Sequence, residues 1–142
     1  MNAYHFYHPI EVRYGDLDPQ GHVNNASYLT YLEQARINYI RSLGLWDGGS
    51  FLDVGIILAD AHLTFHNAIQ FGQAVRVGVS VVRLGNKSLD VVYRIEDASS
   101  GLELATGSTV LVAYDYRRQR TIPIPQTWRE RIMAFEEITE EI

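Results

Sequence analysis

The sequence contains no cysteine in its 142 residues. This absence excludes disulfides, thiolate metal sites, iron–sulfur clusters and a cysteine nucleophile together. Any chemistry must come from carboxylates, imidazoles, hydroxyls, amides or the backbone. The length predicts one domain, residues 1–142, with a core large enough to need no covalent support.

A surplus of basic residues is also lacking, since 12 Lys and Arg face 17 Asp and Glu and the formal net charge is -5. Nucleic-acid phosphates attract a basic surface, so this balance is not typical of a nucleic-acid binder. The start, MNAYHFYHPIEVRY, lacks the basic region and apolar core of a signal peptide. The longest apolar run, around VGIILADAHL, is too short and too polar to span a bilayer. We therefore expect a cytoplasmic protein with no membrane or nucleic-acid partner.

What is present is one helical pattern among several strand patterns. Apolar residues at three- and four-residue spacing predict an amphipathic helix from Ala26 to Leu43, with Asn24 or Asn25 as N-cap and Gly44 as its end. Its predicted buried stripe is Tyr28, Leu32, Ala35, Tyr39 and Leu43, widened by Leu29 and Ile40. Alternation predicts strands in five places, followed by a terminal helix in QTWRERIMAFEEI: Phe6–Tyr14, Val54–Phe65, Val75–Val81, SLDVVYRIED and LELATGSTVLVAYDY. This order predicts an α+β fold in which an antiparallel sheet of about five strands wraps around the long helix.

Polar groups are concentrated immediately before that helix, in RYGDLDPQGHVNNASY. The first backbone N–H groups of a helix have no intrahelical acceptor, and with the helix dipole they favour a carbonyl oxygen that becomes negative. A carboxylate beside them can act as a nucleophile or as a general base. The pattern therefore indicates acyl transfer or hydrolysis, with Asp18 or Asp16 as the working carboxylate. Because an aspartate is a weak base at neutral pH, an activated ester such as a thioester fits best.

The same residues also fit an ordinary turn. An Asp in Asp-x-Asp-Pro commonly accepts local backbone N–H bonds, and Pro19 fixes a dihedral angle. His22 alone is more often a packed or capping histidine than a catalyst, and Asn24 alone is more often a cap. Composition does not choose between a turn and an active site.

The spacing of the whole motif resembles that of a known family. The motif is similar to the signature of hotdog-fold acyl-CoA thioesterases of the 4-hydroxybenzoyl-CoA thioesterase type. In this chain it reads Tyr14-x-Asp16-x-Asp18-x-x-Gly21-His22-Val23-Asn24-Asn25-x-x-Tyr28. The resemblance extends over nearly the full length. Where the name-giving enzymes carry apolar and aromatic residues, this chain has GHVNN, a variant also seen among acyl-carrier-protein thioesterases.

The resemblance implies roles for these residues. Asp18 falls on the family's catalytic aspartate, Asn25 on the residue whose backbone amide polarises the thioester carbonyl, and His22 beside them as an assisting group. Gly21 and Asn24 are expected to contact the substrate. Asp16 is expected to orient the loop.

The resemblance further implies an acyl-CoA substrate, with coenzyme A as part of that substrate and no separate cofactor. It also implies a homodimer joined sheet edge to sheet edge, with which a dimer of dimers is compatible. Two alternatives remain: an acyl-carrier-protein thioesterase, and a noncatalytic module that binds acyl-CoA.

Two further sets of residues bear on substrate and metal. Arg83 and Lys87 flank the Gly85-Asn86 hairpin signal and are predicted to bind coenzyme A phosphates; Arg117, Arg118 and Arg120 in YDYRRQR are a second candidate for that role. His62 and His66 share one face of a predicted strand, but about 13 Å of strand rise separates them, too far for one tetrahedral ion. We therefore predict no metal site.

Overall fold

A computed structural model describes residues 4–139. The long helix α1 and the terminal helix α2 accompany six strands, in the following order: β1 (Tyr7–Ile10), α1 (Asn25–Ser42), β2 (Ile56–Phe65), β3 (Val75–Leu84), β4 (Ser88–Asp97), β5 (Glu103–Asp115), β6 (Arg120–Thr121) and α2 (Gln126–Glu136). The strands form an antiparallel sheet in the order β1-β3-β4-β5-β2, with the two-residue β6 paired to β5. No helix within the described residues is long and apolar enough to cross a membrane.

The sheet curls around α1, and this arrangement confirms the predicted hotdog-type α+β fold. The helix buries its predicted stripe together with Tyr31: Tyr28, Tyr31, Leu32, Ala35, Tyr39 and Ile40. It packs on alternating residues of β3 and β4, all at most 5% exposed: Val75, Val77, Val79, Val81, Leu89, Val91, Tyr93 and Ile95. The helix comes closest to β5 at Gly107, where an added Cβ would lie 3.1 Å from Leu32. A side chain there would require Leu32 or Leu63 to shift by a few tenths of an ångström.

The edge strand β2 differs from the other long strands because most of it is exposed. Its register with β5 shifts between Leu58 and Asp60, so Ala59 forms a bulge. Ile56 and Leu63 both pack against the core although they lie an odd number of positions apart. A regular strand would place them on opposite faces, and the bulge restores both to the inner one.

Two expectations about local structure were wrong. The first strand ends at Ile10, and Tyr14, 82% exposed, begins a 3₁₀ turn instead of continuing the strand. The turn forms because the Asp16 carboxylate accepts hydrogen bonds from the backbone and guanidinium of Arg13. Leu29, predicted to widen the buried stripe of the helix, is 44% exposed because it faces the uncovered side of α1.

Candidate active site

The loop before α1 is a tight turn fixed to the sheet. Gly21 N–H donates to the Asp18 carbonyl over 2.9 Å, and the Asp18 N–H donates to the His22 carbonyl over 3.0 Å. Gly21 has a φ of +86°, which favours glycine at the end of this turn. Val23 N–H then donates to the carbonyl of Ile69, in the connection between β2 and β3, over 2.9 Å. These bonds place the turn beside the start of β3.

Asp16 lies inside this loop and is 3% exposed. Its carboxylate accepts from the Tyr31 hydroxyl at 2.7 Å, from the Arg13 backbone at 2.9 Å and from the Arg13 guanidinium at 3.0 Å. Burial acts to raise the pKa of Asp16, but these hydrogen bonds outweigh it and hold the pKa below its usual value. Burial raises the pKa of Tyr31, and the hydrogen bond to the Asp16 carboxylate raises it further. Asp16 therefore connects the turn to α1 as an ionised carboxylate.

The start of α1 has one capped and one free amide. Asn24 is the N-cap, and its Oδ1 accepts from the Ala26 N–H over 2.8 Å. The Asn24 N–H donates to the Asp16 carbonyl over 2.8 Å. Within residues 4–139, the N–H of Asn25 donates to no protein acceptor. This amide remains available to a ligand, as expected for the first helical residue.

Asp18 and His22 face each other across the turn. Oδ1 of Asp18 accepts from the Gln20 backbone N–H at 2.9 Å, and His22 Nδ1 lies 4.0 Å from the same oxygen. The Asp18 side chain is 14% exposed and that of His22 is 38% exposed. The Gln20 bond is the local turn contact that the ordinary-turn interpretation predicts. A carboxylate has about four acceptor positions, so the bond from Gln20 leaves other positions of Asp18 open to a further donor.

A cavity of about 220 Å³ lies at the helix start. His22 and Asn25 line it from the loop, Tyr28 from α1, and Phe65 and His66 from the end of β2. Asp18 is not among the lining residues in a single chain, but its Oδ1 lies 4.0 Å from Nδ1 of His22, which is one of them. Sequence reasoning considered His62 and His66 as a metal pair, and the structure places His66 at this cavity. It missed Phe65, whose alternation in an apolar strand gave no sign of exposure.

The structure does not bring Arg83 and Lys87 to this cavity. They lie at the β3–β4 hairpin, and the helix start lies beside the opposite end of β3 near Val75, about 26 Å away at ~3.3 Å per residue. Arg83 is 3.8 Å from Asp90, and Lys87 donates to Thr121 over 3.3 Å. Within one chain the structure therefore does not bring them together with Asn25, and their contact with coenzyme A phosphates stays a prediction.

Among residues 4–139, no group of three or more His, Asp or Glu side chains is placed to hold a metal ion. His66 instead lies 3.3 Å from Glu103 and 3.2 Å from the Thr106 hydroxyl. The chemistry available at the helix start is therefore that of a carboxylate, an imidazole and a free backbone amide. Such a set suits attack on an activated carbonyl.

The model of the thioesterase-like superfamily matches residues 12–132 of this chain. The chain belongs to that superfamily and is a thioester hydrolase. The matched range includes the whole of the loop before α1, the helix itself and all of the sheet from β2 onward.

Similar solved structures agree with this assignment. A thioesterase from Thermus thermophilus, complexed with coenzyme A and zinc, is 34% identical, has a TM-score of 0.85 and matches 98% of this chain and 100% of its own. A predicted thioesterase from Bacillus stearothermophilus is 26% identical with a TM-score of 0.83, over 92% of this chain and 95% of its own. The long-chain acyl-CoA thioesterase FadM of Escherichia coli is 22% identical over 123 residues, 87% of this chain and 93% of FadM.

Proposed function

We propose that this protein is an acyl-CoA thioesterase of the 4-hydroxybenzoyl-CoA thioesterase type, in its GHVNN variant. The observation that carries the proposal is that His22 and Asn25, whose backbone N–H has no acceptor among the described residues, line one cavity, and that the Asp18 carboxylate lies 4.0 Å from the His22 imidazole. The coenzyme A bound to the Thermus thermophilus relative and the activity named for FadM support the same substrate class.

The proposed reaction joins one water to the acyl carbon and breaks the carbon–sulfur bond. Asp18 accepts the proton of the attacking water, or attacks the carbonyl itself to form an anhydride that water then hydrolyses. The carbonyl oxygen becomes negative and is stabilised by the Asn25 N–H and the helix dipole. The coenzyme A sulfur leaves and takes a proton, so the products are a carboxylic acid and a thiol. Asp16 is unsuited to this role because it is buried, its oxygens already accept from Tyr31 and Arg13, and these bonds lower its pKa.

His22 and Asn24 have supporting roles in this proposal. His22 is close enough to Asp18 to orient its carboxylate or a water, and it remains open to solvent. Asn24 holds the first turn of α1 so that the neighbouring amide points into the cavity. Gly21 shapes the turn that presents both groups. No separate cofactor enters the reaction.

A homodimer is part of the proposal. The edge strand β2 leaves one side without a protein partner among the described residues, and exposed apolar residues lie along it and near it: Leu29, Phe51, Leu52, Ile57, Leu58 and Phe65. An edge of this length favours pairing with a second copy. Antiparallel pairing between the β2 strands of two copies would place the Phe65 end of each strand beside the Ile56 end of the other. The turn carrying Arg117 and Arg118 would then approach the cavity of the second copy and offer cations to coenzyme A phosphates.

Turnover of purified protein tests the proposal. Acyl groups of several lengths, with an aromatic one included, would be supplied both as coenzyme A thioesters and on acyl carrier protein, and free thiol would be measured. We expect faster release from coenzyme A. Faster thiol release from acyl carrier protein would show that the substrate is a carrier-protein thioester instead of a coenzyme A thioester. Binding of acyl-CoA without thiol release would identify a noncatalytic module.

A further inference from the structure

Arg36 places a guanidinium in the interior between α1 and the sheet. Its side chain is 11% exposed, and its Nη1 donates to the Tyr93 hydroxyl over 3.2 Å. Its nearest carboxylate, Glu33, lies 4.0 Å away and is 72% exposed. A guanidinium has five N–H donors, and across the described part of the chain Arg36 uses one of them in a hydrogen bond. The guanidinium nitrogens that have no protein acceptor keep some accessible surface, so they remain open to a ligand in the adjoining space.

The position of this guanidinium is fixed from the sheet side. The Tyr93 hydroxyl that accepts from Arg36 also lies 2.6 Å from Thr109 Oγ1. Tyr93 is 1% exposed and Thr109 is 2% exposed, on neighbouring strands β4 and β5. The short contact with Thr109 holds the Tyr93 hydroxyl in place, whichever of the two oxygens donates. The hydroxyl pair thus fixes one end of the guanidinium through Nη1.

Arg36 lines a cavity of about 420 Å³ between α1, β2 and β5. Most of the other lining residues are apolar, among them Ile37, Ile40, Ile56, Leu58 and Leu111. Glu33, which is largely exposed, lines the outer part together with Thr30 and Gln34. A cation beside such walls is costly unless an anion or several hydrogen-bond acceptors meet it. The combination of apolar walls and one underused cation suits a ligand with an apolar body and an anionic end.

This cavity and the one at Asn25 lie along the same contact between α1 and β2. Near the helix start, the rings of Tyr28 and Phe65 are 4.8 Å apart between centroids, so the end of β2 meets the beginning of α1. Ile56, at the start of β2, lines the cavity of Arg36. Arg36 follows Asn25 by about 16 Å along the helix axis at ~1.5 Å per residue. The Arg36 side chain leans back towards the helix start, since its Nη2 lies 4.0 Å from Glu33, and this shortens the span. An extended acyl chain of about ten carbons then reaches the guanidinium, and a short one does not.

We propose that Arg36 determines substrate specificity by binding a carboxylate at the far end of the acyl group. The preferred substrates are then mono-coenzyme A thioesters of dicarboxylic acids of medium chain length. The inference depends on the proposed thioesterase activity and extends it. Glu33 repels such a carboxylate weakly, since its exposed charge is screened by water. Tyr93 is a positioning residue, which acts through Arg36.

The experiment compares matched pairs of substrates. The coenzyme A thioesters of hexanoic, octanoic and decanoic acids are measured against the mono-thioesters of the dicarboxylic acids of equal length. We expect kcat/KM of the wild-type protein to favour the carboxyl-terminated member by about tenfold or more in at least one pair, the effect of one charge-assisted hydrogen bond. In Arg36→Met this preference should disappear through loss on the carboxyl-terminated substrate, while the neutral series does not fall.

Two variants separate recognition from folding. Arg41→Met removes the same charge from an exposed position of α1 outside the cavity and should keep the preference. Tyr93→Phe should reduce the preference partly, through a higher KM for the carboxyl-terminated substrate with little change in kcat.

The outcomes also separate this inference from the proposed function. If no thioester is hydrolysed, the proposed function fails. If the neutral series is hydrolysed and the wild-type protein shows no preference in any pair, this inference alone is overturned. Equal loss on both series in Arg36→Met would likewise contradict it and assign Arg36 to structure.

Discussion

Asp16 and Asp18 belong to the same turn and meet opposite surroundings. Asp16 is buried and accepts from a tyrosine hydroxyl, a backbone amide and a guanidinium, which together lower its pKa. Asp18 is more exposed, accepts among the described residues only from the backbone and side-chain amides of its neighbour Gln20, and has an imidazole 4.0 Å away. A carboxylate whose acceptor positions are filled stabilises the fold and has little capacity for a proton. One with open positions beside a cavity can take part in a reaction. The number of donors, more than sequence position, distinguishes the two.

The largest effect that this comparison predicts is on turnover. Asp18→Asn keeps the size of the side chain and its turn contact with Gln20, and removes the proton acceptor. We expect acyl-CoA hydrolysis to fall about 10²- to 10⁴-fold, while the free energy of unfolding in urea changes by less than about 0.5 kcal/mol. Free-thiol release and urea titration measure the two effects. Activity within a few-fold of the wild type would remove Asp18 from the mechanism.

The matched change at Asp16 should act on stability instead. Asp16→Asn places an amide nitrogen against the donors of Arg13 and Tyr31, so part of the network is lost. We expect the free energy of unfolding to fall by about 2–3 kcal/mol. Where the variant remains folded, turnover per folded molecule should fall far less than in Asp18→Asn. If the two variants lost turnover equally, the division of roles between the two carboxylates would be wrong.

The lowered pKa of Asp16 makes a smaller, pH-dependent prediction. The unfolded chain binds a proton at this residue at a higher pH than the folded chain does, so the stabilisation is present above the unfolded pKa of about 3.9 and is lost as the pH falls through the lower folded pKa. Urea unfolding between about pH 6 and pH 3 should therefore show a steeper loss of stability in the wild-type protein than in Asp16→Asn. Parallel curves would show that other carboxylates dominate.

The smallest expected effect concerns the cap that holds the amide of Asn25 in place. Asn24→Ala removes the bond from Asn24 Oδ1 to the Ala26 N–H and should cost about 1 kcal/mol of stability. Asn24→Ser keeps a capping oxygen and serves as the control, with stability and turnover both near the wild-type values. A serine variant that regained stability but not turnover would assign Asn24 a direct contact with the substrate.

Much of this architecture could be predicted from the sequence because local patterns determine it. The alternation of Val75, Val77 and Val79 and the spacing of Tyr28, Leu32 and Ala35 reflect one buried face each, so strand and helix were predicted closely. The helix start was predicted for the same reason, since capping chemistry is local. The identity of Asp16 as the buried carboxylate required its long-range contact with Tyr31, which no local pattern encodes.

The distances between elements were also beyond what local patterns could predict. Arg83 and Lys87 were chosen for charge and hairpin position, and the sheet places that hairpin at the other end of β3. Arg36 was overlooked, although it follows Leu32 and precedes Ile40 by four residues and so lies beside the buried stripe. A charged residue at an apolar position of a helix is a signal that could have identified it.

The bulge at Ala59 makes the length of β2 as constrained as its composition. Because Ile56 and Leu63 reach the core from opposite sides of the bulge, deletion of Ala59 would turn one of them towards solvent. On one side of the deletion, the β2 side chains that line a cavity would also turn to the opposite face of the strand. Homologues with substituted side chains in this strand can keep the fold, whereas a change of one residue in its length requires a compensating change elsewhere. Insertions and deletions should therefore be found in the loops at either end of the strand.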